Sequence, residues 1–71
     1  MPEPDISLRV NGSQMKLPKG ATIRDLLSQL EIDPQLVAVE QNREIVPRPE
    51  YPARILSEKD TIEIVHFVGG G

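Results

Sequence analysis

Near the start of the chain Ile6, Leu8 and Val10 alternate with Ser7 and Arg9. A period of two over five positions predicts a half-buried strand. Asn11-Gly12 follows, a pair suited to the two positive-φ positions of a tight hairpin turn. Met15 and Leu17, alternating with Gln14 and Lys16, return as a second strand that Pro18-Lys19-Gly20 ends. The period then lengthens. Ile23, Leu26, Leu27 and Leu30 fall at i, i+3, i+4 and i+7, which predicts a helix with one apolar stripe. Arg24, Ser28, Gln29 and Glu31 take its outer side. Thr22 is placed to cap the amide of Asp25 while Asp25 reaches back to Thr22, and Pro34 stops the helix by disfavouring helical geometry at Asp33. Leu36 to Glu40 is nearly continuously apolar, the signature of a strand at a central position. Gln41-Asn42-Arg43 makes a tight connection to a short strand, Glu44-Ile45-Val46. Pro47, Pro49 and Pro52 exclude a long element between 47 and 53, where Tyr51 is expected to anchor the chain over the core. After Ile55, Leu56 and the polar turn Ser57-Glu58-Lys59-Asp60, residues 61–67 are β-branched and apolar and predict a final strand.

The elements therefore run strand, strand, helix, strand, short strand, strand. One amphipathic helix must bury its stripe against something, and a single sheet is the available surface. The expected fold class is α+β: a ubiquitin-like β-grasp, with a mixed sheet of four to five strands and one helix packed across a face. In it the final strand lies parallel to the first, at the centre. The 71 residues make one domain. Residues 1–5, with two prolines and two acids, are expected to form a loose N-terminus, and residues 68–71 a flexible C-terminal tail.

Composition narrows the chemistry. A domain this small buries only about 60% of the surface its unfolded chain exposes, too little to wall a deep catalytic cleft. There is no cysteine, so disulfides, thiolate nucleophiles and thiolate metal sites are excluded. Eight basic against eleven acidic residues give a net charge of −3, the wrong sign for a nucleic-acid partner, and two aromatics, Tyr51 and Phe67, are too few for a base-stacking platform. No apolar run approaches the ~20 residues that span a membrane. The first residues lack the basic and apolar regions of a signal peptide, so a cytoplasmic location is expected.

Side-chain chemistry has few candidates. His66 is the sole histidine and has no nucleophile at a telling spacing. Glu58, Asp60 and Glu63 read as a turn and a solvated strand face rather than as metal ligands, and no metal site is expected. Arg43, Arg48 and Arg54 lie on the loop-rich side of the sheet, where they either meet acidic groups of a partner or stay solvated. Gly12 and Gly20 are turn glycines; neither the dinucleotide fingerprint nor the nucleotide-binding loop is present. There remains Gly69-Gly70-Gly71, directly after a predicted core strand. Glycine has no side chain and the widest backbone freedom, so such a tail suits a narrow channel and carries a carboxylate at its tip. Adenylation would give that carboxylate a good leaving group, and sulfur could then displace AMP. A frayed terminus or a cloning scar also explains three glycines, but a scar would normally follow a loop rather than Phe67-Val68.

Over nearly the whole length from Ile6 the chain resembles the ThiS family of sulfur carriers. The residues that carry the likeness are Asn11-Gly12, Thr22-Ile23-Arg24-Asp25-Leu26-Leu27, Val37-Ala38-Val39-Glu40-Gln41-Asn42, Ile45-Val46-Pro47-Arg48, Asp60-Thr61-Ile62-Glu63-Ile64 and Phe67-Val68-Gly69-Gly70-Gly71. Val46-Pro47-Arg48 is the most specific internal motif. Family members commonly end in two glycines, and this chain ends in three. The resemblance implies a carrier in thiamine thiazole synthesis that is not itself an enzyme and binds no cofactor. A ThiF-like adenylyltransferase, using ATP and magnesium, would activate Gly71. A cysteine desulfurase or other sulfur donor would convert it to a thiocarboxylate, and the thiazole synthase ThiG would consume the sulfur. Gly69 and Gly70 would thread into the partner, with residues 69–71 poorly ordered alone. Val65, Phe67 and Val68 are candidate partner contacts, because alternation puts Ile62, Ile64 and His66 on one face and Val65 and Phe67 on the other. Two further readings share the terminal glycines: a MoaD-like carrier for molybdopterin synthesis and a ubiquitin-like protein modifier. In a third, a plain binding module, the tail is inert.

Overall fold

The computed structural model describes residues 4–67. Residues 1–3 and 68–71 lie outside the described residues, and with them the expectations for both ends of the chain beyond these limits. Five strands form one mixed sheet: β1 (Asp5–Val10), β2 (Ser13–Pro18), β3 (Val37–Gln41), β4 (Glu44–Val46) and β5 (Thr61–His66), in the order β2-β1-β5-β3-β4. A single helix, α1 (Ile23–Gln29), follows the first hairpin.

β1 and β2 pair antiparallel from Asp5 opposite Pro18 to Val10 opposite Ser13. The two residues between them, Asn11 at φ 48° and Gly12 at φ 82°, both adopt the left-handed conformation that this shortest hairpin loop requires. The same device recurs between β3 and β4, where Asn42 and Arg43 sit at φ 53° and 72°. β5 runs parallel to β1 and antiparallel to β3, so the last strand in sequence is the middle strand in space. β1 begins at Asp5, one residue before the apolar alternation starts.

The helix starts as expected. Thr22 Oγ1 accepts from the Asp25 amide (3.2 Å), and Asp25 Oδ2 accepts from the Thr22 amide (2.9 Å), closing a capping box. It ends earlier than Asp33-Pro34. Glu31 takes φ 58°; its amide donates to Ser28 O and that of Ile32 to Leu27 O, which is a Schellman motif with glutamate in the place glycine usually holds. Leu30 thus becomes a half-exposed cap, and only Ile23, Leu26 and Leu27 of the stripe are fully buried. Ile32, just past the turn, packs against the core instead.

One side of the sheet carries that core: Ile6, Leu8 and Val10 from β1, Leu17 from β2, Val37 and Val39 from β3, Val46 from β4, and Ile62 and Ile64 from β5, with Tyr51 and Leu56 closing it from the loop. Tyr51 is buried, and its hydroxyl reaches Val37 O at 3.4 Å. The segment expected as a central strand from Leu36 is corrected in three respects. It begins at Val37, it lies beside the centre rather than at it, and its burial alternates. Ala38 looks onto the face away from the helix, so the apolar run reports a face that is itself apolar. Leu36 ends a short 3-10 turn, Pro34–Leu36, and is exposed.

Candidate functional site

The strand that leads into the glycines is held from both sides. On one side β3 pairs with it along its length, up to Val37 opposite His66, and the Phe67 amide then donates to Leu36 O at 3.0 Å. On the other side the main chain of β1 reaches only Ile62. Beyond that point the Asn11 side chain takes over: its Nδ2 donates to Ile64 O (3.2 Å) and its Oδ1 accepts from the Ile64 amide (2.7 Å). A carboxamide offers the donor and acceptor of a peptide group, so Asn11 lengthens the parallel ladder by one rung. It does so from the hairpin turn, where its left-handed conformation aims the side chain along the sheet.

On the face away from the helix, Val65 and Phe67 are more than half exposed, as the alternation predicts. Ala38 stands opposite Val65 and exposed Leu36 beside Phe67, while exposed Ile45 lies opposite Glu40 in the row of Glu63. Leu36, Ala38, Val65 and Phe67 thus give the tail end of that face an apolar strip. The far end of that face is polar, with Arg9, Gln14, Lys16 and Glu63. The other expected site residues, Val68, Gly69, Gly70 and Gly71, lie outside the described residues.

The three arginines separate into different roles. Arg54 pairs with Glu50 at 2.7 Å, one helical turn away in sequence. Arg43 occupies the β3–β4 turn. Arg48 points to the tail root: its Nε donates to Pro34 O at 3.0 Å, and its guanidinium carbon lies 5.8 Å from the centroid of the Phe67 ring. That is within the range at which a cation is attracted to an aromatic face. Neither this bridge nor the Asn11 clamp was visible in the sequence. Pro47-Arg48 stood out only through the resemblance, and Asn11 read as a turn residue.

The acidic residues are structural where the structure accounts for them. Asp60 is buried and accepts from Gln41 Nε2 (2.8 Å), Asn42 Nδ2 (2.9 Å) and the Ser57 amide (2.8 Å). It thus ties the β3–β4 turn to the start of β5, at the end of the sheet remote from Phe67. Glu58 Oε1 accepts from the Ser7 amide, and Glu63 is exposed. His66 is exposed and pairs with Val37 through the main chain. Among the described residues no three His, Cys, Asp or Glu side chains cluster as a metal site would need, and no helix is long and apolar enough to cross a membrane. Two shallow hollows indent the surface, one beside Ser7, Arg9 and Glu58 and the other between Leu17 and Ser28; neither is lined by residues 65–67.

Comparison with known proteins agrees with this arrangement. The model of the ThiS family matches residues 8–71. The sulfur carrier protein ThiS of Bacillus subtilis is 45% identical over 65 residues, covering 90% of this chain and 98% of that protein. The thiazole synthase of Magnetococcus marinus is 42% identical over 66 residues, which are 93% of this chain but only 20% of the synthase. Among solved structures, the ThiS thiamine biosynthesis protein of Geobacter metallireducens superposes with a TM-score of 0.80 at 30% identity, covering 93% of this chain and all of that one. With the family model, the sequence identity and the superposition in agreement, the chain belongs to the ThiS family.

Proposed function

We propose that this chain is a sulfur carrier of thiamine biosynthesis, a protein that delivers sulfur for thiazole formation and is not itself a catalyst. In this reading the terminal carboxylate of Gly71 reacts. A ThiF-like adenylyltransferase transfers AMP from ATP to it, with magnesium on the nucleotide and pyrophosphate leaving. Sulfur from a cysteine desulfurase or another donor then attacks the acyl carbon and displaces AMP: sulfide gives the thiocarboxylate directly, whereas a desulfurase persulfide gives an acyl disulfide whose S–S bond a thiol then cleaves reductively to leave the thiocarboxylate. Its sulfur is a softer and stronger nucleophile than the oxygen it replaced, and it passes to the thiazole synthase ThiG. Gly69 and Gly70 admit the tail to a channel that a Cβ would obstruct. Val65, Phe67 and Val68 meet the partner beside it.

The observation that carries this reading is the junction of a tri-glycine terminus with an exposed apolar strip at the end of the middle strand. Neither of the two surface hollows is lined by residues of this strip, which suits chemistry performed inside another protein. The B. subtilis sulfur carrier, matched over nearly its full length, supports the class of function. The M. marinus thiazole synthase supports the choice of partner, because it holds within one polypeptide a stretch like this chain.

Intact-protein mass spectrometry tests the proposal. The full chain is incubated with a ThiS-type activating enzyme, ATP, magnesium and sulfide. A mass gain equal to one oxygen replaced by sulfur, abolished when the Gly71 carboxylate is blocked, is the expected result. No gain, with an enzyme shown to act on its own carrier, would overturn it; slower-migrating conjugates on lysines would instead indicate a protein modifier.

A further inference from the structure

Arg48 is placed with unusual definition for an exposed arginine. It starts a 3-10 turn, Arg48–Glu50, whose position is fixed on either side: Val46 is buried in β4, and Tyr51 is buried with its hydroxyl on Val37 O. From that fixed base the side chain bridges two other segments, donating from Nε to Pro34 O and laying its guanidinium near the Phe67 ring. Phe67 is tied to the same turn a second time, through its amide and Leu36 O. Main chain and side chain of the last described residue are thus referred to one small platform made of residues 34–36 and 48. Charge alone does not explain this. A guanidinium offers a ring-facing plane and an Nε donor at the same time, whereas a lysine ammonium is a point charge on a flexible stem.

We propose that Arg48 is a positioning residue: by bridging the 34–36 turn to Phe67 it sets the direction in which the chain leaves β5, and so the presentation of the C-terminal carboxylate to the activating enzyme. The second half rests on the carrier function proposed above. Four residues follow Phe67 and span at most about 14 Å. The place of Phe67 therefore bounds where the carboxylate can be held, and misplacement of about 1 Å can cost a reaction on the order of a hundredfold.

The bridge itself is tested on the full chain alone, by NMR of Arg48→Ala, Arg48→Lys and Phe67→Leu. The Phe67 amide and ring resonances shift in both Arg48 variants, while those of Ile6, Leu26 and Val39 stay in place. Unchanged Phe67 resonances in Arg48→Ala would overturn the bridge. The consequence for transfer is read from steady-state pyrophosphate release by the activating enzyme. For both Arg48 variants kcat falls about tenfold with KM within about twofold of the parent, and Arg48→Ala with Phe67→Leu is no worse than the poorer single variant. An unchanged kcat would overturn the positioning role, as would full activity of Arg48→Lys or a loss confined to KM, which would make Arg48 a charge that the partner reads directly. If the parent chain is not adenylated, it is the carrier function that fails, and the NMR arm still decides the bridge.

Discussion

Single residues do more here than their types announce. Asn11 fills a left-handed turn position and, with the same side chain, supplies both halves of a missing ladder rung to Ile64. Asn11→Ala keeps the turn crudely possible but leaves the Ile64 amide and carbonyl without their partner, a loss of about 1–3 kcal/mol. Chemical denaturation should register that loss, and hydrogen exchange should show the Ile64 amide less protected. Glu31 offers the opposite lesson. A glutamate at φ 58° is strained where glycine is not, so Glu31→Gly is expected to stabilise the domain by about 0.5–1 kcal/mol. In a protein of this size that is a rise of a few degrees in thermal midpoint, measurable by calorimetry. Hydropathy carried neither residue. Asn11 was legible as a turn former because Asn-Gly has a local meaning, but its contact with a residue 53 positions away has none.

At the level of elements, the sequence was most readable where one periodicity met one environment. Ile6, Leu8 and Val10, and again Ile62 and Ile64, alternate because one side of the sheet faces the helix and the other faces outward. The run from Leu36 misled because Ala38 and Leu36 are apolar on the outward face, where alternation assumes polar residues. That departure coincides with the candidate docking strip, which is why a rule about burial failed there. The helix start was legible to the atom, since Thr22 and Asp25 interact across three residues, and its end was not, since no glycine marks it. The short α1 depends on its cap: Thr22→Ala should cost about 1 kcal/mol. Leu26→Ala, which empties a fully buried site at its middle, should cost about 2–5 kcal/mol. In so small a domain the second change is expected to shift much of the population to the unfolded state at 37 °C, visible as loss of amide dispersion by NMR.

For the whole molecule, what matters is that the glycines follow the best-braced strand of the sheet. Gly70→Val leaves every described contact in place, so the fold and its thermal midpoint are expected to stay as they are, while adenylation by the activating enzyme is lost. Mass spectrometry and calorimetry on the same sample check both halves of that statement. The global topology was legible because a lone helix and five short strands admit few arrangements; the chemistry proposed for the tail rests on family resemblance, as no spacing of side chains encodes it. The place of β5 has one more consequence. The middle strand is the last of the five described strands to be synthesised, and β1 and β3 pair only through it. Until residues 61–66 are available, the growing polypeptide holds two separate hairpins and a helix with no complete surface to cover. Folding of the sheet must therefore await residues 61–66 and be limited by the closure of a long loop between β1 and β5, so that a chain truncated before Thr61 yields a product for proteolysis rather than a half-formed sheet.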